Sequence, residues 1–275
     1  MEEKKKRFYR KEFYKYFEDI SYKLYEKEFK EIVQFMKENE KFRTNHTRYY
    51  TQKIMYNPNL VENKIINYNQ AFLELYIGSV KAVSQGKINN QYEGFNKLRK
   101  KLTKINPDPN KKINFKKLFE NKSPFEYLAS NNFKGLGNKT AALFIRDIHF
   151  TREELFEDFE NFKPEYLKIP VDIVICIMLN KIFKLETNKI HKNNRFIAES
   201  DFNFINTFFK EKLGRDYMLV EDLWFWGYFN LKVDKDTRKF EFNEPKYEID
   251  NHSYNNELIK EKIKEFQNKF MRYIK

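Results

Sequence analysis

The chain has 275 residues with 53 Lys and Arg against 40 Asp and Glu, a formal charge of +13, and a single cysteine. That length can bury a full hydrophobic core, as one large domain or two small ones. Lone Cys176 excludes an intramolecular disulfide framework and any zinc or iron–sulfur site built on several cysteines, while the surplus positive charge calls for a polyanionic partner, nucleic acid first.

The longest apolar run, IPVDIVICIML, is too short to span a membrane and is interrupted by Asp172. A soluble, cytoplasmic protein is the expectation. The excess charge is also concentrated. Residues 97–122 hold ten Lys or Arg against Asp108 and Glu120, a net of +8.

Residues 7–40 place Phe13, Phe17, Ile20, Leu24, Phe29, Ile32 and Met36 mostly at three- and four-residue intervals, which predicts an amphipathic helix. Residues 59–84 and 89–104 read the same way, broken by SQGK at 84–87. NPDPNKK at 106–112 cannot continue a helix, because proline lacks the amide donor and restricts the residue before it. Ser123, Pro124 and Glu126 then make a capping box that opens a short helix ending near Asn132. A second helix begins at NKTAALFIRDI, directly after Gly135 and Gly137. Capping logic at TREE predicts a third from Thr151, stopping before Pro164, and IPVDIVICIMLNKIF predicts a fourth with Pro170 near its first turn and an apolar body suited to a core. Residues 201–213, 219–230 and about 255–273 are predicted helical. Alternation around a polar turn marks one small β-hairpin near 230–242.

The stretch NNFKGLGNKTAALFIRDIHF is therefore helix, tight turn, helix, with two of the chain's seven glycines in the turn. Glycine permits positive φ and close backbone approach. A turn of this kind aims the free amides of the second helix outward at the positive end of its dipole, which suits phosphate. GLGNKT is not a nucleotide-binding P-loop, since that pattern needs Gly directly before Lys and a second Gly five residues earlier, where this chain has Asn138 and Phe133.

The turn followed by PVD at 170–172 resembles the helix-hairpin-helix DNA glycosylases (the HhH-GPD superfamily), most closely the archaeal-type 8-oxoguanine DNA glycosylase/AP lyases. SQGKINNQYEGF at 84–95 is similar to a further segment of that branch, without its tryptophan near Tyr92. The resemblance covers about residues 75–230 and implies a two-lobed, all-α fold. The expected domains are an N-terminal helical part over 1–105 with the basic connection 97–122, a catalytic region over 123–230, and a C-terminal hairpin and helix over 231–275 packing back on the first lobe.

The resemblance also implies roles. Gly135, Gly137 and Thr140 would hold a DNA phosphate, Lys139 would be the nucleophile, and Asp172 the carboxylate that completes the site. Asp222 and Trp226, four residues apart on a predicted helix, would recognise and stack the damaged base, with Gln85 and Tyr92, and more remotely Gln34, as further pocket members. Cys176, His149 and His191 have no supporting context. No metal and no cofactor is implied; the partner is double-stranded DNA containing a damaged base, and the chain is expected to be a monomer.

The chemistry has its own logic. A lysine amine attacks an electrophilic carbon only when neutral, and burial beside the positive end of a helix favours that form. A carboxylate opposes the positive charge that develops on a deoxyribose as its base leaves. The resulting expectation is excision of oxidised guanine through a lysine Schiff base. Two alternatives stay open: a related glycosylase of different base specificity, and a non-enzymatic helix-hairpin-helix module that binds DNA.

Overall fold

The computed structural model describes residues 2–44, 47, 61–62, 65–81, 88–130, 133, 136–185, 195–233, 238–250 and 257–274. It divides into two compact units. Met1–Arg43 and Val171–Lys275 form one, and Thr44–Pro170 the other. The division differs from the three consecutive regions expected from the sequence, because the first 43 residues belong with the last 105.

The chain opens with α1 (Glu2–Tyr16) and α2 (Tyr22–Glu38), joined without a break by a π-helical turn, Phe17–Ser21. That turn corrects the predicted apolar stripe. A π turn spends an extra residue and shifts the helix phase, so the stripe passes from Phe13 and Phe17 to Ser21 and Tyr22. Ile20 and Leu24 are left 53% and 64% exposed. The Ser21 hydroxyl donates to the Phe183 carbonyl at 2.9 Å.

In the Thr44–Pro170 unit, β1 (Val61–Glu62) and β2 (Ile65–Ile66) form an antiparallel ladder with Val61 opposite Ile66. The sequence predicts helix there. Helix begins only at α3 (Tyr68–Lys81), after Asn67, whose side chain accepts the Gln70 amide. Then follow α4 (Ile88–Ile105), α5 (Phe115–Phe119), α6 (Pro124–Ser130) and α7 (Asn138–Leu155).

Both limbs of the predicted capping box at α6 are formed: Glu126 N donates to Ser123 Oγ at 3.2 Å, and Ser123 N to Glu126 Oε2 at 3.4 Å. The helix expected to start at Thr151 does not. Thr151 is fully buried inside α7, where its hydroxyl donates to the Asp147 carbonyl, and only short 3-10 turns lie at Phe159–Asn161 and Pro164–Tyr166. TREE is a capping sequence whose apolar surroundings kept the helix going.

The core of this unit is α3 against α7. Phe72 and Tyr76 meet Phe144 edge-on at 5.3 and 5.4 Å. Below them the Ser79 hydroxyl donates to Asp147 at 2.6 Å, and Arg146 pairs with the same carboxylate at 2.8 Å, so this nearly buried acid is matched on both oxygens.

The second segment of the first unit contributes α8 (Ile173–Ile182), α9 (Ala198–Leu213), a 3-10 run at Gly214–Glu221, and α10 (Asp222–Asn230). After these come β3 (Leu231–Val233) paired antiparallel with β4 (Arg238–Phe240), then α11 (Glu244–Asp250) and α12 (Glu257–Ile274). The hairpin predicted at 230–242 is present, with Leu231 opposite Phe240. The fold is all-α with these small ladders added.

Two aromatic clusters build this unit's interior. Phe17 meets Phe183, Phe196 and Phe208 edge-on at 4.9, 4.9 and 5.1 Å. Trp226 meets Phe35 at 5.2 Å and stacks on Phe266 at 5.5 Å, which ties α10 to α2 and α12. Each such pair contributes about 0.5–1.5 kcal/mol beyond the area it buries. Gly227 lets α10 approach α8: a Cβ there would stand 2.8 Å from Met178 Cγ and 2.9 Å from Val174 Cγ1.

Candidate functional site

The turn before α7 is built around Phe133, which is buried against Tyr127 and whose carbonyl accepts the Leu136 amide at 3.1 Å. Gly137 follows as the N-cap, and the first bond of the helix runs from Ala141 N to its carbonyl at 2.9 Å. The amides of the first helical turn, Asn138 to Thr140, therefore precede the first of these bonds and face the helix end.

The reason expected for glycine does not hold at Gly137. Its φ of −76° and ψ of 171° suit any residue, and a Cβ would meet nothing within 4 Å. Gly135 lies outside the described residues.

Lys139 is half-buried in the first turn of α7. Thr140, expected to contact phosphate, is only 6% exposed and turns its side chain into the unit. It can offer a ligand its backbone amide and little more.

Asp172 is the N-cap of α8. Its backbone is extended, its Oδ1 accepts the Ile175 amide at 2.9 Å, and its carbonyl accepts from Cys176 N at 3.0 Å. Pro170, two residues earlier, ends the incoming strand of chain and leaves the cap position free for the carboxylate. The residue is 5% exposed and stands at the positive end of an almost wholly apolar helix, where the dipole favours a negative charge. Burial, helped by the Asp172 charge, pushes the Cys176 thiol up to about 12, so that cysteine is an inert core residue. Lys139 belongs to the Thr44–Pro170 unit and Asp172 to the other.

The expected base-pocket residues fall in different environments. Asp222 and Trp226 do share a face of α10, as their spacing predicts, but both are completely buried. Trp226 is occupied by its aromatic neighbours, and Asp222 Oδ1 lies 2.7 Å from Arg43 Nε, itself nearly buried. A base could stack on Trp226 only if that packing opened. Burial drives the Asp222 carboxyl up to about 7 from an ordinary 3.8; Arg43 opposes the rise and Glu221 adds to it. Arg43 lies 179 residues from Asp222, a separation over which no sequence pattern announces a pair.

Tyr92 is 61% exposed on the outward face of α4 rather than in a pocket. Gln34 is exposed on α2 and donates to Glu38 at 2.9 Å. Gln85 and His191 lie outside the described residues.

A second buried pair was equally invisible in the sequence. Asp201 at the start of α9 is fully buried and takes the Arg10 guanidinium, the Tyr14 hydroxyl at 2.9 Å and the Ile197 amide. The Arg10 guanidinium also donates to the Arg195 carbonyl at 2.7 Å, which ties α1 to the chain entering α9. The Asp201 carboxylate is thus taken up by groups of the fold itself, which makes this cluster structural.

Among the described residues no group of three or more His, Cys, Asp or Glu is placed to hold a metal ion, and no helix is long and apolar enough to cross a membrane. No protein-family model, no curated protein and no solved structure matches the chain.

Proposed function

We propose that the protein is a DNA glycosylase/AP lyase that removes an oxidised purine, 8-oxoguanine in the first instance, with Lys139 as nucleophile and Asp172 as the carboxylate that stabilises the developing cation. The observation that carries this reading is the start of α7: a side-chain-free cap at Gly137, amides of the first turn behind it, and Lys139 within that turn. Such an end receives a phosphate and sets an amine beside it. The resemblance of the turn and PVD sequence to the helix-hairpin-helix glycosylases supplies the reaction.

In that reaction the bond from C1′ to the base breaks as Lys139 Nζ bonds to C1′, and the base leaves with the electron pair and takes a proton. Ring opening gives a Schiff base. Loss of a proton from C2′ then expels the 3′ phosphate by β-elimination, and water releases the sugar fragment and regenerates the amine. Asp172 offers negative charge while C1′ is most positive. The target nucleotide must leave the duplex to reach such a site.

Trapping tests the reading. Borohydride added to the protein with 8-oxoguanine duplex should reduce the Schiff base to a stable protein–DNA adduct, and Lys139→Gln should abolish both adduct and strand cleavage while DNA binding survives. Full trapping by the Gln variant would remove Lys139 from the mechanism, and no trapping by the unaltered protein on any oxidised purine would remove the reaction.

A second reading has one observation in its favour. The Asp172 carboxylate has a structural use as a helix cap, which a DNA-binding module without catalysis would equally require. Duplex binding without adduct would select it.

A further inference from the structure

The lysines of the basic stretch do not all have the same surroundings. Lys101 pairs with Glu120 and lies over the Tyr127 ring at 4.0 Å, and Lys112 Nζ donates to the Glu153 carbonyl at 2.7 Å. These two are fastened to the fold. On α4 the pattern is different. Leu98 and Leu102 are buried, and at 100° per residue the rest of the helix surface presents Tyr92, Asn96, Lys100, Thr103 and Lys104 away from them and Arg99 on the flank, all exposed. Glu93 is the acidic residue of that face, near its beginning.

One edge of α4 touches the chain that leads into α7. Lys97, at that edge, lies over the Phe133 ring at 5.1 Å, and Phe133 is the buried residue around which the turn before Gly137 is built. Phe133, Tyr127 and Phe119 continue as a chain of ring contacts beneath α4. The basic face and the amide end of α7 belong to the same unit, and Lys97 on Phe133 links the edge of α4 to the chain that leads into α7.

We propose that the outward face of α4, from Tyr92 to Lys104, is a DNA-backbone contact continuous with the phosphate site at the start of α7. Arg99, Lys100 and Lys104 neutralise successive phosphates, and the Tyr92 ring gives a flat surface for a sugar or an unstacked base. The twelve steps from Tyr92 to Lys104 cover about 18 Å of helix, which is about five steps of a strand that rises 3.4 Å per phosphate. The proposal rests on DNA as the partner and not on the chemistry at Lys139.

The test is binding of the full-length protein to a fluorescent duplex across a salt series. Replacing Lys100 and Lys104 together by Gln should flatten the slope of log affinity against log salt by about 1.8, at about 0.9 for each phosphate no longer neutralised. Lys101→Gln with Lys112→Gln, the same change in charge, should leave the slope as it was. Tyr92→Ala should weaken binding on the order of tenfold with the slope unchanged, since stacking is not screened by salt. An unchanged slope for the Lys100/Lys104 pair, or an equal flattening in both pairs, overturns the proposal. Borohydride trapping on the same variants separates it from the enzyme reading. A protein that shows the slope difference but never traps binds DNA on α4 without being a lyase, and one that traps without the difference is a lyase that holds DNA elsewhere.

Discussion

The Asp172 carboxylate accepts the Ile175 amide at 2.9 Å, so the acid proposed for catalysis also closes the first turn of α8. The two roles can be separated because asparagine caps a helix about as well as aspartate and carries no charge. Asp172→Asn should therefore keep its melting temperature within a degree or two yet slow base excision by two orders of magnitude or more. DNA with a ready-made abasic site should be cleaved at a much smaller loss, because its glycosidic bond is already broken. Asp172→Ala should lose about 0.5–2 kcal/mol of stability as well. Equal loss by the Asn variant on both substrates, with a lower melting temperature, would leave Asp172 only its structural role.

Gly137 offers a converse experiment. Its backbone suits any residue and a side chain would meet open space, so Gly137→Asp should fold and even gain a few tenths of a kcal/mol from a new cap. The added carboxylate would sit on the amides that a phosphate is proposed to use, and duplex affinity at low salt should fall at least tenfold. Gly137→Ser separates capping from charge and should lose less. Unchanged affinity in the Asp variant, measured by fluorescence anisotropy, would show that DNA does not use the start of α7.

Asp222 predicts a pH dependence of stability. Its carboxyl titrates near 7 in the folded protein and near 3.8 when free. Between those values the folded state holds more protons than the unfolded state, so stability is greatest below about 4 and is lost as pH rises towards 7. At about 1.4 kcal/mol per unit, the unaltered protein should lose about 2–3 kcal/mol between pH 5 and 8 that Asp222→Asn does not. Urea unfolding at the two pH values checks this, and parallel pH profiles would contradict it.

Packing of α10 on α8 is testable at Gly227. Alanine favours a helix over glycine by about 1 kcal/mol, yet the new methyl would collide with Met178 and with the stiff side chain of Val174. Overpacking of this kind costs about 1–3 kcal/mol, so Gly227→Ala should lower the melting temperature where propensity alone would raise it. Val174→Ala in the same chain should recover part of the loss. A higher melting temperature for the single variant would mean that the helices move apart without cost.

Much of this protein was legible as sequence because the signals were local. The period of Phe29, Ile32 and Met36, the Ser123–Glu126 capping box, the prolines at 107 and 109 and the alternation at 230–242 each act over a few residues, and each produced the element it predicts. The position of Lys139 in the first turn after the glycines was readable for the same reason. Some local signals gave a different outcome. Thr151 is a good cap residue buried inside a longer helix, Ile20 and Leu24 were displaced from the core by a π turn, and Gly137 has an ordinary backbone rather than a positive φ. Burial and pairing were decided by tertiary structure alone. Asp222 with Arg43, Asp201 with Arg10 and Asp147 with Ser79 join residues 68 to 191 positions apart. A charged group's surroundings depend on which surfaces fold over it, and no spacing along the chain encodes that.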